Sequence, residues 1–283
     1  MILSLLALVL SASSAAGDST RATDGLDAAS TVEIPSPLHF LASAYGTLGG
    51  YSTSTDSRSY SGFVTLTNAW RDYYTLGFST LSLKSGGAGK FYSQDVLTAR
   101  ASLFVTDRVA LVAHYGYLFE GEISSYSSSA VFHWIGGGAN YWFSYFSLAG
   151  ISSSAAITGG KVVSSAFRGW YSFDVLNGIW ATSLAVVTAS DWSPRLFSFR
   201  QVVTVPVGNE SSIIGWADVG RRGFYFDDES LIMYNQRSIL RGSFVVKAIV
   251  RIVGGVYAIP LLQYDTLDDY DVKYASLGIR VVF

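Results

Sequence analysis

The residues of this sequence that could do chemistry are cations placed inside apolar, alternating segments. Side chains alternate between the two faces of a β-strand, so a cation between apolar neighbours points away from their face. Several cations on one face of a sheet would attract anions and could guide them along it. The residues in this set are Arg100, Arg168, Arg200, Lys247, Arg251 and Arg280.

The carboxylates lie mainly in the segments that connect the predicted strands, and Asp218 is the clearest exception. The pattern therefore predicts a basic inner face and an acidic outer edge. Two interpretations remain open. The cations could line an open passage for anions, or they could pair with carboxylates in a closed interior. The connecting carboxylates are Asp56, Glu120, Glu122, Asp191, Asp227, Asp228, Glu229, Asp265, Asp268 and Asp269.

Residues for nucleophilic or metal-dependent catalysis are sparse. His39, His114 and His133 stand outside any Ser/His/acid pattern, and without Cys there is no Cys/His metal spacing. We therefore expect no enzyme, no cofactor and no metal.

The run Asp227–Glu229 could bind a divalent cation, but a solvated acidic cluster is the favoured interpretation. Gly136–Gly138 has no Lys or helix after it, so it predicts a turn and not a phosphate loop.

The composition points to strands in a membrane. Only 14% of the 283 residues are charged, whereas soluble proteins carry about a quarter, and Tyr, Phe and Trp are frequent. Beyond the N-terminus the chain has no run of about 20 apolar residues that could form a transmembrane helix. A closed barrel satisfies every backbone group in lipid. The net charge of −2 argues against a nucleic-acid partner.

The C-terminal segment, Asp271 to Phe283, alternates cleanly. Ala275, Leu277, Ile279, Val281 and Phe283 share one face, while Tyr274, Ser276, Gly278 and Arg280 share the other. This pattern resembles the closing strand of bacterial outer-membrane β-barrels, in which a terminal aromatic residue is the assembly signal. The resemblance implies an outer-membrane location and recognition of the last strand by the barrel-assembly machinery.

From His39 onward the chain divides into strand-length segments separated by turn signals. They predict an all-β, membrane-spanning, antiparallel up-and-down barrel of about 14 strands, with 12 or 16 also compatible. A Lys or Arg on the lipid face near the midplane costs about 2–4 kcal/mol, so the strand-borne cations should point inward. The predicted strands are 39–49, 59–69, 73–84, 92–105, 107–119, 125–136, 139–150, 160–172, 177–190, 195–206, 211–222, 239–252, 255–264 and 271–283.

The connections alternate in length, as outer-membrane barrels do, with short periplasmic turns and long external loops. Both termini should then be periplasmic. The short turns are Arg71-Asp72, Thr106-Asp107, Gly136–Gly138 and Gly254-Gly255, and the longer loops are Tyr51–Arg58, Ser85–Lys90, Gly121–Ser124, Ser152–Gly159 and Gly223–Ser238.

The loop Gly223–Ser238 is the longest of these connections. Folded inward it would plug or gate the barrel, and extended it would present a binding surface. The residues expected to serve either arrangement are Phe224, Tyr225, Asp227, Asp228 and Glu229.

The N-terminal residues divide into two predicted segments before the barrel of residues 39–283. Residues 1–16 have an apolar core followed by Ser14-Ala15-Ala16, which predicts a secretory signal peptide. The alternative is a buried helix, although the segment has no polar face. Residues 17–38 are polar and predict a periplasmic tail.

Two short motifs resemble the YaiO-like outer-membrane proteins, a family of small barrels. They are Trp70-Arg71-Asp72-Tyr73 and the segment Tyr264–Tyr270. That family is linked by context to envelope polysaccharides, so the resemblance implies an acidic glycan as passenger or partner. It implies no functional residues.

These observations lead to two functional hypotheses for a monomer in contact with outer-membrane lipid and lipopolysaccharide. The preferred one is a passive channel with a net basic lumen for small anions or acidic saccharides, with the cations as electrostatic guides. The alternative is a closed barrel that acts as a scaffold, whose external loops bind a partner or a surface glycan.

Overall fold

The structure is a computed structural model. It describes residues 38–68, 72–85, 91–123, 129–143, 149–158, 161–176, 178–190, 193–208, 210–223, 225–227, 232–234 and 238–283. The predicted signal peptide and nearly all of the predicted periplasmic tail lie outside these residues. Among the residues described, no helix is long and apolar enough to cross a membrane.

Sixteen strands form within the described residues. They are β1 (Leu38–Tyr51), β2 (Thr55–Asn68), β3 (Tyr73–Ser85), β4 (Phe91–Thr106), β5 (Val109–Ile123), β6 (Ser129–Trp142), β7 (Ala149–Thr158), β8 (Lys161–Leu176), β9 (Ile179–Ser190), β10 (Ser193–Pro206), β11 (Ser212–Arg222), β12 (Tyr225–Asp227), β13 (Ile232–Tyr234), β14 (Leu240–Val253), β15 (Val256–Leu267) and β16 (Asp271–Val282).

All but β12 and β13 build one closed antiparallel barrel, so the described chain has a barrel of 14 strands. Each strand pairs with its neighbour in sequence, and β11 pairs with β14 because the hairpin β12–β13 lies between them in the chain. Closure leaves no open sheet edge, which is what a bilayer requires. The predicted fold class and strand number are confirmed.

The first and last strands close the barrel. Leu41 pairs with Val282 and Tyr51 with Val272, so β1 and β16 are in register along their length. Beyond the last strand, the Phe283 N–H donates to the Phe40 carbonyl at 2.9 Å, and the two rings lie 5.4 Å apart. We call this end of the barrel the Phe283 end and the opposite end, which carries β12–β13, the hairpin end.

The exterior of the barrel is apolar and exposed. The alternation predicted for the last strand is confirmed, since Leu277 and Ile279 are exposed while Tyr274 and Ser276 are buried. In β5 the exposed face likewise carries Leu111 and other apolar side chains. Exposed apolar surface on this scale is unfavourable in water, so the outer wall is built to face lipid.

The segment around Gly136–Gly138 differs from the prediction. These glycines lie inside β6 and not in a turn, so the predicted strands 125–136 and 139–150 are wrong and Ser152–Thr158 belongs to β7. A Cβ on Gly136 would lie 2.1 Å from the Ala155 carbonyl oxygen and 2.3 Å from the His114 ring. Glycine is needed here because a neighbouring strand and a large inward side chain approach the backbone closely.

Candidate functional site

Four of the six predicted cations lie inside the barrel. Arg100 on β4, Arg168 on β8 and Arg200 on β10 are buried, and Lys247 on β14 has 0% of its surface exposed. Their apolar neighbours Leu97, Phe167, Phe199 and Val246 are exposed on the outer wall. These four side chains thus point into the barrel, as the alternation of apolar residues indicated. A role in guiding solutes stays a prediction.

The two remaining cations lie towards the Phe283 end. Arg280 is half-buried, on the inward face of β16. Arg251 is 39% exposed, and its Nη1 donates to Glu210 Oε1 at 2.6 Å and its Nε to the Gly254 carbonyl at 2.8 Å. Arg251 belongs to the same face of β14 as Lys247, four residues earlier, and its role in guiding solutes stays a prediction. The side chain lies at the rim because β14 ends two residues later.

A buried ion pair joins β10 and β11. Arg200 Nε donates to Asp218 Oδ1 at 2.7 Å and Nη2 to Oδ2 at 3.0 Å. Arg222, which the sequence pattern does not distinguish from other strand residues, places its Nη2 3.7 Å from the same Oδ2. All three side chains are buried. One carboxylate thus lies between two guanidinium groups, and a buried charge needs such pairing to be tolerated.

Further polar side chains lie beside this ion pair, on the inward faces of β14 and β15. Asp218 pairs with Ser243, and Ser243 with Asp265, in the strand register. Asp265 accepts from Ser243 Oγ at 2.6 Å and from Gln263 Nε2 at 2.6 Å and 2.7 Å. Asp265 was expected in an outer loop, which is wrong because β15 continues to Leu267 and carries it inside.

Much of the interior is apolar and packed. The buried cluster includes Tyr45, Phe63, Trp134, Ile214, Val245 and Ile259. Gly116 makes room for the Trp134 ring, because a Cβ at Gly116 would lie 1.9 Å from Trp134 Cζ2. Side chains that line an open aqueous lumen are solvated, whereas these have little or no exposed surface. The described part of the interior is therefore closed in this conformation.

Strand β12 of the long loop lies against the barrel. Its backbone hairpin brings β12 against β8 and β9, although β8 lies three strands from β11 around the barrel. Gly223 and Ser238, at the two ends of the loop, are buried. Of the residues predicted to gate or bind, Tyr225 and Asp227 lie in β12, whereas Phe224, Asp228 and Glu229 lie outside the described residues.

The rim at the hairpin end is not simply acidic. Asp268 accepts from Arg241 Nε and from Arg221 Nη2, the latter at 2.9 Å. The hydrogen bond from Arg241, aided by Arg221, lowers the pKa of Asp268 below its ordinary value. The carboxylate is thus held ionised between two arginines. The predicted acidic edge needs correction here, because two exposed arginines accompany this carboxylate.

The three histidines lie on three different strands. His114 is buried on β5 beside Arg100, while His39 and His133 are exposed on β1 and β6. In the part of the chain that the structure describes, no group of three or more His, Cys, Asp or Glu residues could hold a metal ion.

A closed antiparallel barrel with an apolar exterior and inward-facing charges is the fold of outer-membrane β-barrels. This chain is similar in structure to the toluene transporter TodX of Pseudomonas putida, with a TM-score of 0.50 and 8% identity over 88% of this chain and 89% of TodX. It is also similar to the outer-membrane protein Omp33 of Acinetobacter baumannii, with a TM-score of 0.48 and 9% identity over 88% of this chain and 100% of Omp33.

The likeness to TodX supports the fold alone. No protein-family model and no curated protein sequence matches the chain. The resemblance to the YaiO-like proteins therefore stays a prediction.

Proposed function

We propose that the protein is a closed outer-membrane barrel that acts as a scaffold, with its working surface at the hairpin end. The observation that carries this proposal is the packed interior, in which Lys247 and Trp134 have no exposed surface and Asp218 pairs with Arg200. A water-filled pore would leave such inward side chains solvated. The closed-barrel hypothesis is thus favoured over the open channel, which the sequence had made the preferred one.

The rim at the hairpin end is the surface that the scaffold offers. Arg221 and Arg241 are 58% and 63% exposed in their side chains even while they hold Asp268. Exposed guanidinium groups bind carboxylates and phosphates in a bidentate manner. An acidic surface glycan is a ligand that suits this rim. We place the hairpin end outside, so that the Phe283 end of the barrel faces the periplasm.

A gated anion channel is the second candidate. Two observations favour it: among the described interior residues cations outnumber carboxylates, and β12 lies folded against β8 and β9. A basic interior would favour anions once the passage opened. In this case the conformation described is the closed state, and the loop that carries β12 and β13 is the gate.

Planar-bilayer conductance in a salt gradient distinguishes the two candidates. The proteins to compare are the full chain and a variant in which residues 225–236 are replaced by a short Gly-Ser linker, both shown to be folded by heat-modifiable gel mobility. The closed scaffold predicts no conductance steps from either protein. Steps with an anion-favouring reversal potential in the loop variant would overturn it in favour of the gated channel.

A further inference from the structure

Most exposed cations that the structure describes on the barrel wall lie at one end. They lie on β2, β3, β10, β11, β14 and β16, each within a few residues of the hairpin end. At the Phe283 end, the exposed Lys and Arg residues of the described chain are the turn residue Arg108 and the rim residue Arg251. The cations at the hairpin end are Arg58, Lys84, Arg195, Arg221, Arg241 and Lys273.

Three of these cations, Arg58, Lys84 and Lys273, share one wall, and we call them the wall cluster. Lys84 pairs with Asp56, Asp56 with Gly50, and Gly50 with Lys273, so one row crosses β3, β2, β1 and β16. Neighbouring strands lie about 4.8 Å apart, which separates the two lysine backbones by about 14 Å. Arg58 lies between them, two residues further along β2 on the same face.

The wall between the cluster and the middle of the barrel is apolar. Leu48, Tyr60 and Leu277 are 59%, 61% and 62% exposed on the outer face. They are one or two rows nearer the middle of the barrel than the lysines. The wall cluster therefore lies where the hydrocarbon surface ends and lipid headgroups begin.

The opposite end of the same wall is different. Phe40, Tyr74 and Phe283 are exposed there, and on the described outer face of β16, β1, β2 and β3 at that end there is no Lys or Arg. Aromatic residues are usual at both interfaces of a membrane barrel, whereas a cluster of cations at one interface needs a separate cause. An anionic lipid confined to one leaflet provides it.

We infer that the wall cluster binds the phosphates of lipid A in the leaflet at the hairpin end. Lipid A carries phosphates at both ends of a disaccharide, a spread-out charge that suits two separated lysines, while Arg58 offsets the charge of Asp56, which is exposed in the row between them. Arg58 can form a bidentate bond with phosphate, and the lysines act as point charges. The inference rests on the outer-membrane location proposed above and places the hairpin end at the cell surface.

Lipid binding to the purified, folded barrel in detergent micelles tests the inference, with Kdo2-lipid A and phosphatidylglycerol as the two probes. The test variant is Arg58→Gln/Lys84→Gln/Lys273→Gln. Each Lys or Arg near an anionic surface contributes about 1 kcal/mol, so the triple variant should bind lipid A about a hundredfold more weakly. The matched control is Arg108→Gln at the other end, which should bind as the wild type does.

Two results would overturn the inference: lipid A binding that is unchanged in the triple variant, or wild-type binding of phosphatidylglycerol as tight as that of lipid A. All three substitutions are on the outer face and leave the interior intact, so folding and bilayer conductance should match the wild type. A failure of the closed-barrel proposal is therefore seen in conductance, and a failure of this inference in lipid binding.

Discussion

Arg200 and Asp218 form a two-point ion pair inside the barrel, with Nε 2.7 Å from Oδ1 and Nη2 3.0 Å from Oδ2. The two residues are directly opposite in the β10–β11 register. Arg222 approaches the same carboxylate at 3.7 Å. Charge-assisted bidentate pairs are among the strongest polar contacts in proteins. Here the pair joins β10 to β11, the strand that precedes the long loop.

Substitution of Asp218 should therefore destabilise the barrel strongly. Asp218→Asn leaves Arg200 and Arg222 buried beside a neutral amide, and breaking a buried pair from one side costs about 3–5 kcal/mol. Equilibrium folding into phospholipid vesicles, followed by Trp fluorescence in urea, measures the loss.

The control for Asp218→Asn is Asp107→Asn. Asp107 is exposed in the turn between β4 and β5, and its substitution should change the free energy of unfolding by no more than about 0.5 kcal/mol. If Asp218→Asn were as mild as this control, the interior around Arg200 would have to be solvated, which would favour an open lumen.

The packing of Trp134 gives a second prediction. Gly116→Ala places a Cβ 1.9 Å from the ring, and Trp134 has no exposed side on which to move. Overpacking of this kind costs about 1–3 kcal/mol or more. Gly46→Ala is the matched control, because its Cβ would meet the Tyr60 ring at an ordinary 3.8 Å. Urea midpoints should fall for Gly116→Ala and hold for Gly46→Ala, and Trp134→Phe should partly restore the former.

The ionisation of Asp268 gives a pH prediction. The pKa of Asp268 is lowered in the folded protein by Arg241 and Arg221, so the link between the three side chains is present at neutral pH. It weakens once the pH falls below the ordinary aspartate pKa of about 3.9 and is lost through the lower folded pKa. An NMR titration of the Asp268 carboxyl carbon should give a midpoint below that of a free aspartate. In Arg241→Gln the midpoint should rise, and an unchanged midpoint would mean that the contact does not persist in solution.

The alternation of side chains was enough to predict the barrel and the inward direction of several cations. Arg100 and Lys247 are each flanked by apolar residues that recur at every second position. Because one face of the strand is buried, this alternation is a strong signal of which way a side chain points. The last strand carries the same signal from Asp271 to Val282. Here the local pattern and the global fold agree, so the sequence alone was sufficient to predict the direction of these side chains.

The errors arose where local signals and tertiary contacts disagree. The triple glycine at 136–138 has the chemistry of a turn, yet it lies in a strand, where His114 and the β7 backbone come so close that glycine is needed. Asp265 was placed in a loop because carboxylates are common there, while its partners Ser243 and Gln263 are 22 and 2 residues away. The closed interior depends on which side chains meet across the barrel, and strand periodicity carries no information on that.

The turn between β10 and β11 supports a final prediction, on Glu210. Its φ is +62°, in the left-handed region, where a non-glycine residue costs about 1–2 kcal/mol. Its carboxylate accepts from Arg251 at 2.6 Å and from the Tyr257 hydroxyl at 2.9 Å. The carboxylate is 51% exposed in its side chain, so the ion pair contributes no more than about 1 kcal/mol.

In Glu210→Gly the relief of the left-handed backbone and the loss of the ion pair oppose each other. The urea midpoint of this variant should therefore stay near that of the wild type. Glu210→Gln keeps the strained backbone and loses the charge, so it should be slightly less stable. Glu210→Val should be the least stable of the three, because a β-branched residue fits the left-handed region poorly. Stability that decreases in the order Glu210→Gly, Glu210→Gln, Glu210→Val would show that backbone conformation stabilises this turn more than its ion pair does. A glycine variant less stable than the glutamine variant would show instead that the contacts to Arg251 and Tyr257 dominate.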